Sequence, residues 1–209
     1  MTISINYKSG AIKKTSTNLI LFVDEKFEVS HLKKHISKIE FIYISDLLKN
    51  NNSKKKILIF EISSKKRIIL VSIKKDIKNY DAENLGAQLF GFLDQKKKNE
   101  YLINADTVNC KIENFIGHFV HGLKLKSYQF NKYKSKKNVN LISINVFANK
   151  NKLSLKEQLR FKALEEGSFF ARDLVSEPGN VLHPDEYAKR INLLKKFGLK
   201  INIYDEKKL

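Results

Sequence analysis

The stretch KILIFEISSKKRIILVSI, residues 56–73, decides the fold class. Its two apolar halves, residues 56–62 and 67–73, are rich in isoleucine and leucine, a composition typical of buried β-strands. The polar SSKK between them is short enough to join neighbouring antiparallel strands. The stretch therefore predicts a β-hairpin, which places at least one antiparallel pair in the sheet that the chain forms.

The segments around the hairpin show strand and helix patterns in alternation. Short apolar or alternating runs predict further strands at residues 3–7, 18–23, 100–105 and 138–147. Apolar residues at helical spacing predict helices within residues 41–56 (ending in a polar loop), at 78–97 and at 112–125. In the helix at 78–97 the predicted buried stripe consists of Ala82, Leu85, Leu89, Phe92 and Leu93. This alternation, together with the hairpin, predicts an α/β fold with a mixed sheet over residues 1–150.

A long helix is predicted to follow in residues 151–177. Ser154 followed by Glu157 forms a capping box, in which hydroxyl and carboxylate satisfy unpaired amides of the first turn. Pro178 cannot continue a helix, so this one is expected to end by Ser176. Its predicted buried stripe consists of Leu155, Leu159, Ala163, Phe170 and Leu174.

Both prolines of the chain, Pro178 and Pro184, enclose one short turn, EPGNVLHP. Pro184 suits the first position of a helix, because the amide that it lacks has no helical partner there. Gly198 suits the left-handed position that ends such a helix. The predicted inner face of the helix is Tyr187, Ile191 and Leu194, and the predicted next strand has Leu199, Ile201 and Ile203 on one face. Residues 178–209 are therefore expected to form a helix followed by a strand.

The composition predicts a cytoplasmic protein with enough apolar material for one core. Hydrophobic residues make up 42% of the 209 residues. No apolar run approaches the ~18–20 residues that a bilayer span needs, and the first residues lack the long apolar core of a signal peptide. Cys110 is the only cysteine, which excludes an internal disulfide and favours a reducing compartment. We expect it to be a buried or idle thiol rather than a nucleophile, and we expect no membrane partner.

The formal net charge of +18 raises nucleic acid as a possible partner. The lysines, however, lie in small clusters at 53–56, 65–67, 96–98 and 132–137, without a zinc knuckle or a recognition-helix signature. Abundant Lys, Ile and Asn are also the bias expected of an AT-rich genome. We interpret most of the charge as solvated surface and expect weak, non-specific nucleic-acid binding at most. A basic nucleic-acid-binding module stays the alternative function.

The histidines invite a metal-site hypothesis. His31 and His35 are four residues apart and His118 and His121 are three apart, so each pair could share a helix face. Neither pair has the acidic neighbour of the H-E-x-x-H zinc motif or an evident third ligand, so surface or packing roles are favoured. His183 is interpreted as a helix-entry residue. Since nucleotide-binding and hydrolase motifs are also absent from the sequence, no catalytic, cofactor-binding or metal-binding residue is predicted.

Two longer segments resemble the leucyl aminopeptidase (cytosol aminopeptidase) family. ARDLVSEPGNVLHPDEYAKRI, residues 171–191, resembles the family's junction segment, A-R-D-L-V-N-E-P-A-N followed by a T-P or H-P helix start. HFVHGLKLKSYQFNKYKSKK, residues 118–137, is similar to the family's stretch before its domain boundary. RIILVSI occupies the place of a family strand, but Ser72, Lys74 and Lys75 replace the glycines that usually follow.

The resemblance implies a two-domain metalloenzyme that releases N-terminal residues, often leucine, from peptides. It implies a macro-domain-like N-terminal domain (1–150), a connecting helix (151–177) and an incomplete start of the α/β catalytic domain (178–209), as in a truncated product or fragment. The family binds two divalent ions (Mn or Zn) in V-G-K-G-x-x-F-D-S-G-G and N-T-D-A-E-G-R stretches. Neither stretch occurs here. This chain alone is therefore expected to be inactive and to bind no metal.

The resemblance also implies peptide substrates and a homo-oligomer, a hexamer, for the full-length family. It leaves one further hypothesis open, because the macro-domain fold holds ADP-ribose in other proteins. A ligand-binding domain of that kind would need a glycine-rich phosphate loop, and the replaced glycines at 72–75 count against it.

Overall fold

The computed structural model describes residues 3–10, 12, 18–49, 55–93, 100–135 and 142–204. The chain divides into two compact units, Met1–Glu165 and Glu166–Leu209, and the division falls inside a long helix.

The first unit is built on one six-stranded mixed sheet. Its strands are β1 Ile3–Lys8, β2 Asn18–Val23, β3 Ile57–Ser63, β4 Lys66–Ser72, β5 Glu100–Asn104 and β6 Ile142–Phe147. Its described helices are α1 Lys38–Lys49, α2 Asn79–Phe90 and α3 Phe115–Lys126, with 3-10 turns at Ser30–Lys34 and Ala105–Thr107. The strand order is β1-β6-β5-β2-β4-β3, with β3 antiparallel to β4 and every other neighbouring pair parallel. The predicted hairpin and mixed α/β sheet are thus confirmed.

Strand β2 lies at the centre and is covered on both faces, as its continuous apolar run predicts. Ile20 and Phe22 belong to the core beneath α2 and α3. Leu19 and Leu21 belong to the core on the other face, together with Ile44 of α1. Because successive strand side chains point to opposite faces, one six-residue run supplies both cores.

Helix α2 is shorter than predicted. It ends at Phe90, and the chain turns at Gly91, so Phe92 leaves the predicted stripe and is 45% exposed. The other predicted members of the stripe are buried: Ala82, Leu85, Leu89 and Leu93. Residues 94–99, and residues 138–141 of the last predicted strand, lie outside the described residues.

Helices α2 and α3 cross at a pair of glycines. A Cβ on Gly86 would lie 1.8 Å from the carbonyl oxygen of Phe119, and a Cβ on Gly122 would lie 1.9 Å from that of Glu83. Both distances are far below a van der Waals contact, so the two helix backbones touch directly. Any side chain beyond hydrogen at either position would force the helices apart.

A long helix, α4 Leu155–Ser176, begins and ends as predicted. The amide of Glu157 donates to the hydroxyl of Ser154 at 3.2 Å, as the capping box requires. Among the described residues, no helix is both long and apolar enough to cross a bilayer.

The predicted buried stripe of α4 is wrong over its first three turns. Leu155 and Leu159 are 70% and 57% exposed, and Ala163 is exposed as well. Phe161 is buried instead, because its ring lies directly on Gly117 of α3, where a Cβ would come within 2.2 Å of the ring. The gap left by that glycine decides which face of α4 turns inward. Of the two later stripe members, Phe170 is half-buried and Leu174 is buried.

In the second unit, a tight turn joins α4 to α5 Pro184–Asn192, with Pro184 in the first turn as predicted. The amides of Val181 and Leu182 donate to the carbonyl of Pro178 at 2.9 and 3.0 Å. Arg190 donates to Glu177 and to Glu186, each at 2.9 Å, which ties α5 back to the end of α4. The turn is thus held by backbone hydrogen bonds and by one bridging guanidinium.

The last predicted strand is wrong. The 3-10 turn Leu193–Phe197 ends at Gly198 with a φ of 83°, the predicted left-handed position, but residues 199–204 form no strand. A strand needs a hydrogen-bonded neighbour, and no described strand pairs with this segment. On the predicted inner face of α5, Tyr187 is exposed, while Ile191 and Leu194 are half-buried.

The glycine crossing predicts a contrast between alanine substitutions. Gly86→Ala or Gly122→Ala should lower the free energy of unfolding by about 3 kcal/mol, because the new methyl group overlaps backbone atoms that cannot move independently. Gly167→Ala is the matched control: it also lies inside a helix, but its Cβ would meet nothing within 4 Å. Replacing that glycine should raise stability by about 0.5–1 kcal/mol. Urea unfolding of the three variants measures the contrast, and equal effects at all three positions would contradict the backbone contact.

The second unit should unfold locally more readily than the sheet of the first unit. Helix α5 and the following 3-10 turn contain no buried residue, and Leu193, Phe197 and Leu199 are each more than half exposed. Backbone amides there should exchange hydrogen much faster than those of the sheet strands, and limited proteolysis should cut residues 178–204 first. Hydrogen exchange read by mass spectrometry tests this. Protection in α5 equal to that in β2 would refute it.

Candidate functional site

The sheet has one position where the chain connections leave in opposite directions. From β2 the chain continues through α1 to β3 and β4 on one side, and from β5 it continues through α3 to β6 on the other. Strands β2 and β5 are neighbours, so a crevice is expected beyond their carboxyl ends. In open α/β sheets, ligands bind at such a point. This edge is therefore the candidate site to inspect.

A cavity of about 340 Å³ occupies that position. It is lined by Val23, Asp24, Glu28, His31, Ile73, Asp106, Thr107, Val108 and Asn109. Its carboxylates hold the surrounding loops. Asp24 accepts from the amides of Lys26 and Glu28 at 3.1 and 2.8 Å, and Glu28 accepts from the amide of Ser30 at 2.9 Å. That backbone hydrogen bond keeps the pKa of Glu28 below its usual value.

Asp106 joins the end of β5 to the loop after β6. Its carboxylate accepts from the amides of Asn149 and Lys150, each at 2.9 Å, and from the Asn149 side chain at 3.0 Å. Burial would raise the pKa of Asp106, but the amides of Lys150 and Asn149 outweigh burial and hold the pKa below its usual range. The ionised carboxylate of Asp106 therefore has a structural role, because it holds the loop after β6 against the end of β5.

A second cavity, of about 320 Å³, lies beside the ends of β2 and β4. It contains two of the residues that replace the expected glycines. The Ser72 hydroxyl donates to the carbonyl of Asp24 at 3.1 Å, and Lys74 lies 3.6 Å from Glu25 in an exposed ion pair. The carbonyl of the third replaced position, Lys75, accepts from the amide of Lys111. These residues brace the loops at this edge, and the loop has no glycine that would let a phosphate approach its backbone.

The first histidine pair does not converge. His31 Nε2 lies 3.2 Å from the carbonyl oxygen of Phe22, whereas His35 Nδ1 lies 2.9 Å from the side-chain amide of Asn104. Both rings connect the segment after β2 to the sheet.

The second histidine pair surrounds Phe161 of α4. The rings of His118 and His121 lie 5.0 and 5.5 Å from the Phe161 ring. His118 Nδ1 is 2.8 Å from a Glu83 carboxylate oxygen, and His121 Nδ1 is 3.6 Å from one of Glu165. The pair thus forms a packing site for one aromatic side chain.

The two other residues singled out from the sequence, His183 and Cys110, belong to no metal-ligating cluster among the described residues. His183 is the N-cap residue of α5, as predicted for helix entry, although its side chain makes no capping hydrogen bond. Cys110 is half-buried, and burial raises the pKa of its thiol, which disfavours the reactive thiolate.

Sequence patterns did not reveal a buried polar cluster beneath α3. Lys124 Nζ donates to the carbonyl of Ile3 at 2.5 Å, and burial lowers its pKa. Burial, followed by the charge of Glu165, raises the pKa of Tyr7. The available signal was the spacing of Gly117, His121 and Lys124, which places them on one helix face.

A sequence profile described as the cytosol aminopeptidase family, N-terminal domain, matches residues 20–137, more than half of the chain. The chain belongs to the cytosol aminopeptidase family. A probable cytosol aminopeptidase of Sulfurihydrogenibium sp. is 30% identical over 97% of this chain and 43% of its own length. One from Wolbachia pipientis is 32% identical over 71% of this chain and 30% of its own length. The chain therefore spans less than half of these relatives.

Solved structures of the cytosol aminopeptidase family share the fold. A tomato leucine aminopeptidase, in a mutant form, matches 99% of this chain and 45% of its own, with a TM-score of 0.73 at 17% identity. A cytosol aminopeptidase from Coxiella burnetii matches 96% of this chain and 40% of its own, with a TM-score of 0.60 at 16% identity. The mixed six-stranded sheet is thus an arrangement found in this family.

The family resemblance implies a pair of divalent ions, and the described residues offer no ligand set for them. In the described ranges, no three His, Cys, Asp or Glu side chains are arranged to hold a metal ion. The crevice carboxylates of Asp24 and Asp106 are directed at backbone amides, which are donors and compete with a cation for the same oxygens.

The role of Asp106 predicts a pH-dependent stability difference. Its folded-state pKa is lowered, so its contribution is complete above the unfolded-state pKa, about 3.9, and is lost as the pH falls through the folded-state value. Asp106→Asn should therefore destabilise the chain at pH 7 and by progressively less as the pH falls below the unfolded-state pKa. The exposed Asp76→Asn serves as control. Urea midpoints measured from pH 7 into the acid range follow the effect, and a pH-independent loss would refute it.

Proposed function

We propose that this chain acts as the non-catalytic N-terminal part of a metal-dependent aminopeptidase, which releases N-terminal amino acids from peptides. The observation that carries the proposal is the family match over residues 20–137. Two curated relatives named probable cytosol aminopeptidases support it, since they share about a third of the aligned residues.

The chemistry of the described side chains supports a non-catalytic role. An aminopeptidase of this kind needs a metal-bound water and therefore a convergent set of ligands. Here each histidine of the two pairs contacts a different partner, and the crevice carboxylates bind loop amides. The first unit thus supplies a packed domain, and α4 carries the chain onward from it.

The proposal extends to compartment and substrate. The relatives' names place them in the cytosol, and we propose the same location for this chain. Peptides, often with leucine as the N-terminal residue, are the proposed substrates of the whole enzyme, on the strength of the family resemblance.

Purified chain with added Mn²⁺ or Zn²⁺ should show no hydrolysis of leucine p-nitroanilide above the metal-only blank. The full-length Sulfurihydrogenibium relative under the same conditions is the positive control. Metal-dependent turnover by the 209-residue chain alone would refute the non-catalytic assignment.

A chimera tests the positive half of the proposal. Residues 1–204 of this chain would replace the aligned region of the Sulfurihydrogenibium relative; the alignment covers 97% of this chain and 43% of that relative. The chimera should retain metal-dependent release of leucine, and the same chimera with Gly122→Ala should lose it together with its cooperative unfolding. A chimera that unfolds cooperatively and is inactive would contradict a shared role.

A further inference from the structure

Two adjoining cavities lie along helix α2. The first is the cavity of about 320 Å³ beside the ends of β2 and β4, and the second has a volume of about 350 Å³. Lys56, Asp81 and Leu85 line both, so the two cavities form one continuous groove, called the α2 groove below. Ligand pockets in proteins have volumes of roughly 300–1,000 Å³, so each half of the groove is large enough for a small molecule.

The α2 groove carries charges of both signs that are not paired with each other. Lys56 and Asp81 line both cavities, yet among the described residues neither side chain has a hydrogen-bond or ion-pair partner. Asp81 is also half-buried, so its carboxylate has lost part of its hydration without gaining a protein partner. A further pair of opposite charges, Lys74 and Glu25, lines the first cavity with its Nζ and Oε1 atoms 3.6 Å apart. A ligand that carries both a cation and an anion would therefore find a partner for each.

Apolar side chains form part of the wall of the first cavity. Ile77 and Leu85 are core residues that also line this cavity. The half-buried Phe27 lines it as well. Contact with an aliphatic group of a ligand would remove apolar surface from water on both sides and would favour binding. The first cavity thus combines opposite charges with an apolar wall.

We infer that the α2 groove binds a free aliphatic α-amino acid, for which leucine is the probe. The ammonium group of the ligand pairs with Asp81, its carboxylate pairs with Lys56, and its side chain lies against Ile77, Leu85 and Phe27. The binding follows from the charges and the wall of the groove. That such an amino acid is also the product of the whole enzyme rests on the proposed function.

Ligands with a charge of one sign fit the groove less well. An anion such as phosphate would be repelled by the carboxylates of Asp81 and Glu25, and the loop after β4 has no glycine that would bring its backbone close to a phosphate. An amine without a carboxylate would be repelled by Lys56 and Lys74. A zwitterion is attracted by both sets of charges.

The affinity should be modest. Lys56 and Lys74 are exposed, so water and salt screen part of their attraction for the carboxylate of the ligand. We therefore expect a dissociation constant on the order of 1 mM, which weakens as the salt concentration rises.

An NMR titration of the ¹⁵N-labelled 209-residue chain with L-leucine tests the inference. The amide signals of Lys56, Lys74 and Asp81 should shift and saturate together. Leucinamide lacks the carboxylate and 4-methylpentanoate lacks the ammonium group, so each should bind at least tenfold more weakly. Glycine has both charges but no side chain, and it should also bind more weakly. These comparisons use the wild-type chain and need no variant.

Two variants with matched controls locate the charges. Asp81→Asn and Lys56→Gln should each weaken leucine binding tenfold or more. Asp76→Asn and Lys75→Gln change exposed residues that line neither cavity, and they should leave the dissociation constant unchanged. Spectra that match the wild type away from the changed residue show that each variant is folded.

Several results would overturn the inference. Leucine that causes no saturable shift would do so, as would equal loss of binding in the control variants. Equal binding of leucinamide would show a site for amines, and equal binding of 4-methylpentanoate or inorganic phosphate would show a site for anions. None of these measurements involves peptide hydrolysis. Failure of leucine to bind therefore leaves the proposed function standing, and failure of the activity assays leaves the measured dissociation constant standing.

Discussion

The contact between Gly86 and Gly122 is the constraint on which the first unit depends. Two helices that cover the same sheet face must normally stay 8–10 Å apart, because their side chains separate them. Here hydrogen atoms take the place of two side chains, and the backbones of α2 and α3 touch. The close approach lets both helices cover the β2, β5 and β6 side of the core together. On its opposite side α3 uses a second glycine, Gly117, to receive the ring of Phe161. A single helix with glycines on two faces therefore positions both of its neighbours.

How much of this could be predicted from sequence depends on whether the signal is local. The strands were predictable because a continuous apolar run such as NLILFV by itself indicates a buried strand. The hairpin was predictable because the connection between its two strands is short. Helix ends were predictable where capping residues are explicit, as at Ser154 and Glu157. The equivalent box at Ser37 and Glu40 has the same S-x-x-E spacing and could have been found in the same way.

The errors share a different cause. Leu155 and Leu159 have better helical spacing than Phe161, yet the glycine that admits Phe161 lies more than forty residues earlier, in another helix. Residues 199–204 alternate like a strand, but alternation does not supply the neighbour that a strand requires. The crevice could not be predicted from local sequence patterns either. Asp24 and Asp106 line the same cavity only because the strand order makes β2 and β5 neighbours. Their carboxylates serve the loops there, which explains why an edge that holds ligands in other α/β proteins shows no ligand set in the described part of this chain.

The pairing of β1 with β6 has a consequence for how the chain folds during synthesis. Ile3 emerges from the ribosome first, but its strand partner Ile142 follows 139 residues later. At typical elongation rates that interval is on the order of ten seconds. Throughout it, β1 has no neighbouring strand, while β2, β3 and β4 can already pair among themselves. Lys124, which binds the carbonyl of Ile3, emerges before β6 does. The lysine can therefore hold the waiting strand against α3, so that the last strand to be made is inserted between β1 and β5 and closes the sheet.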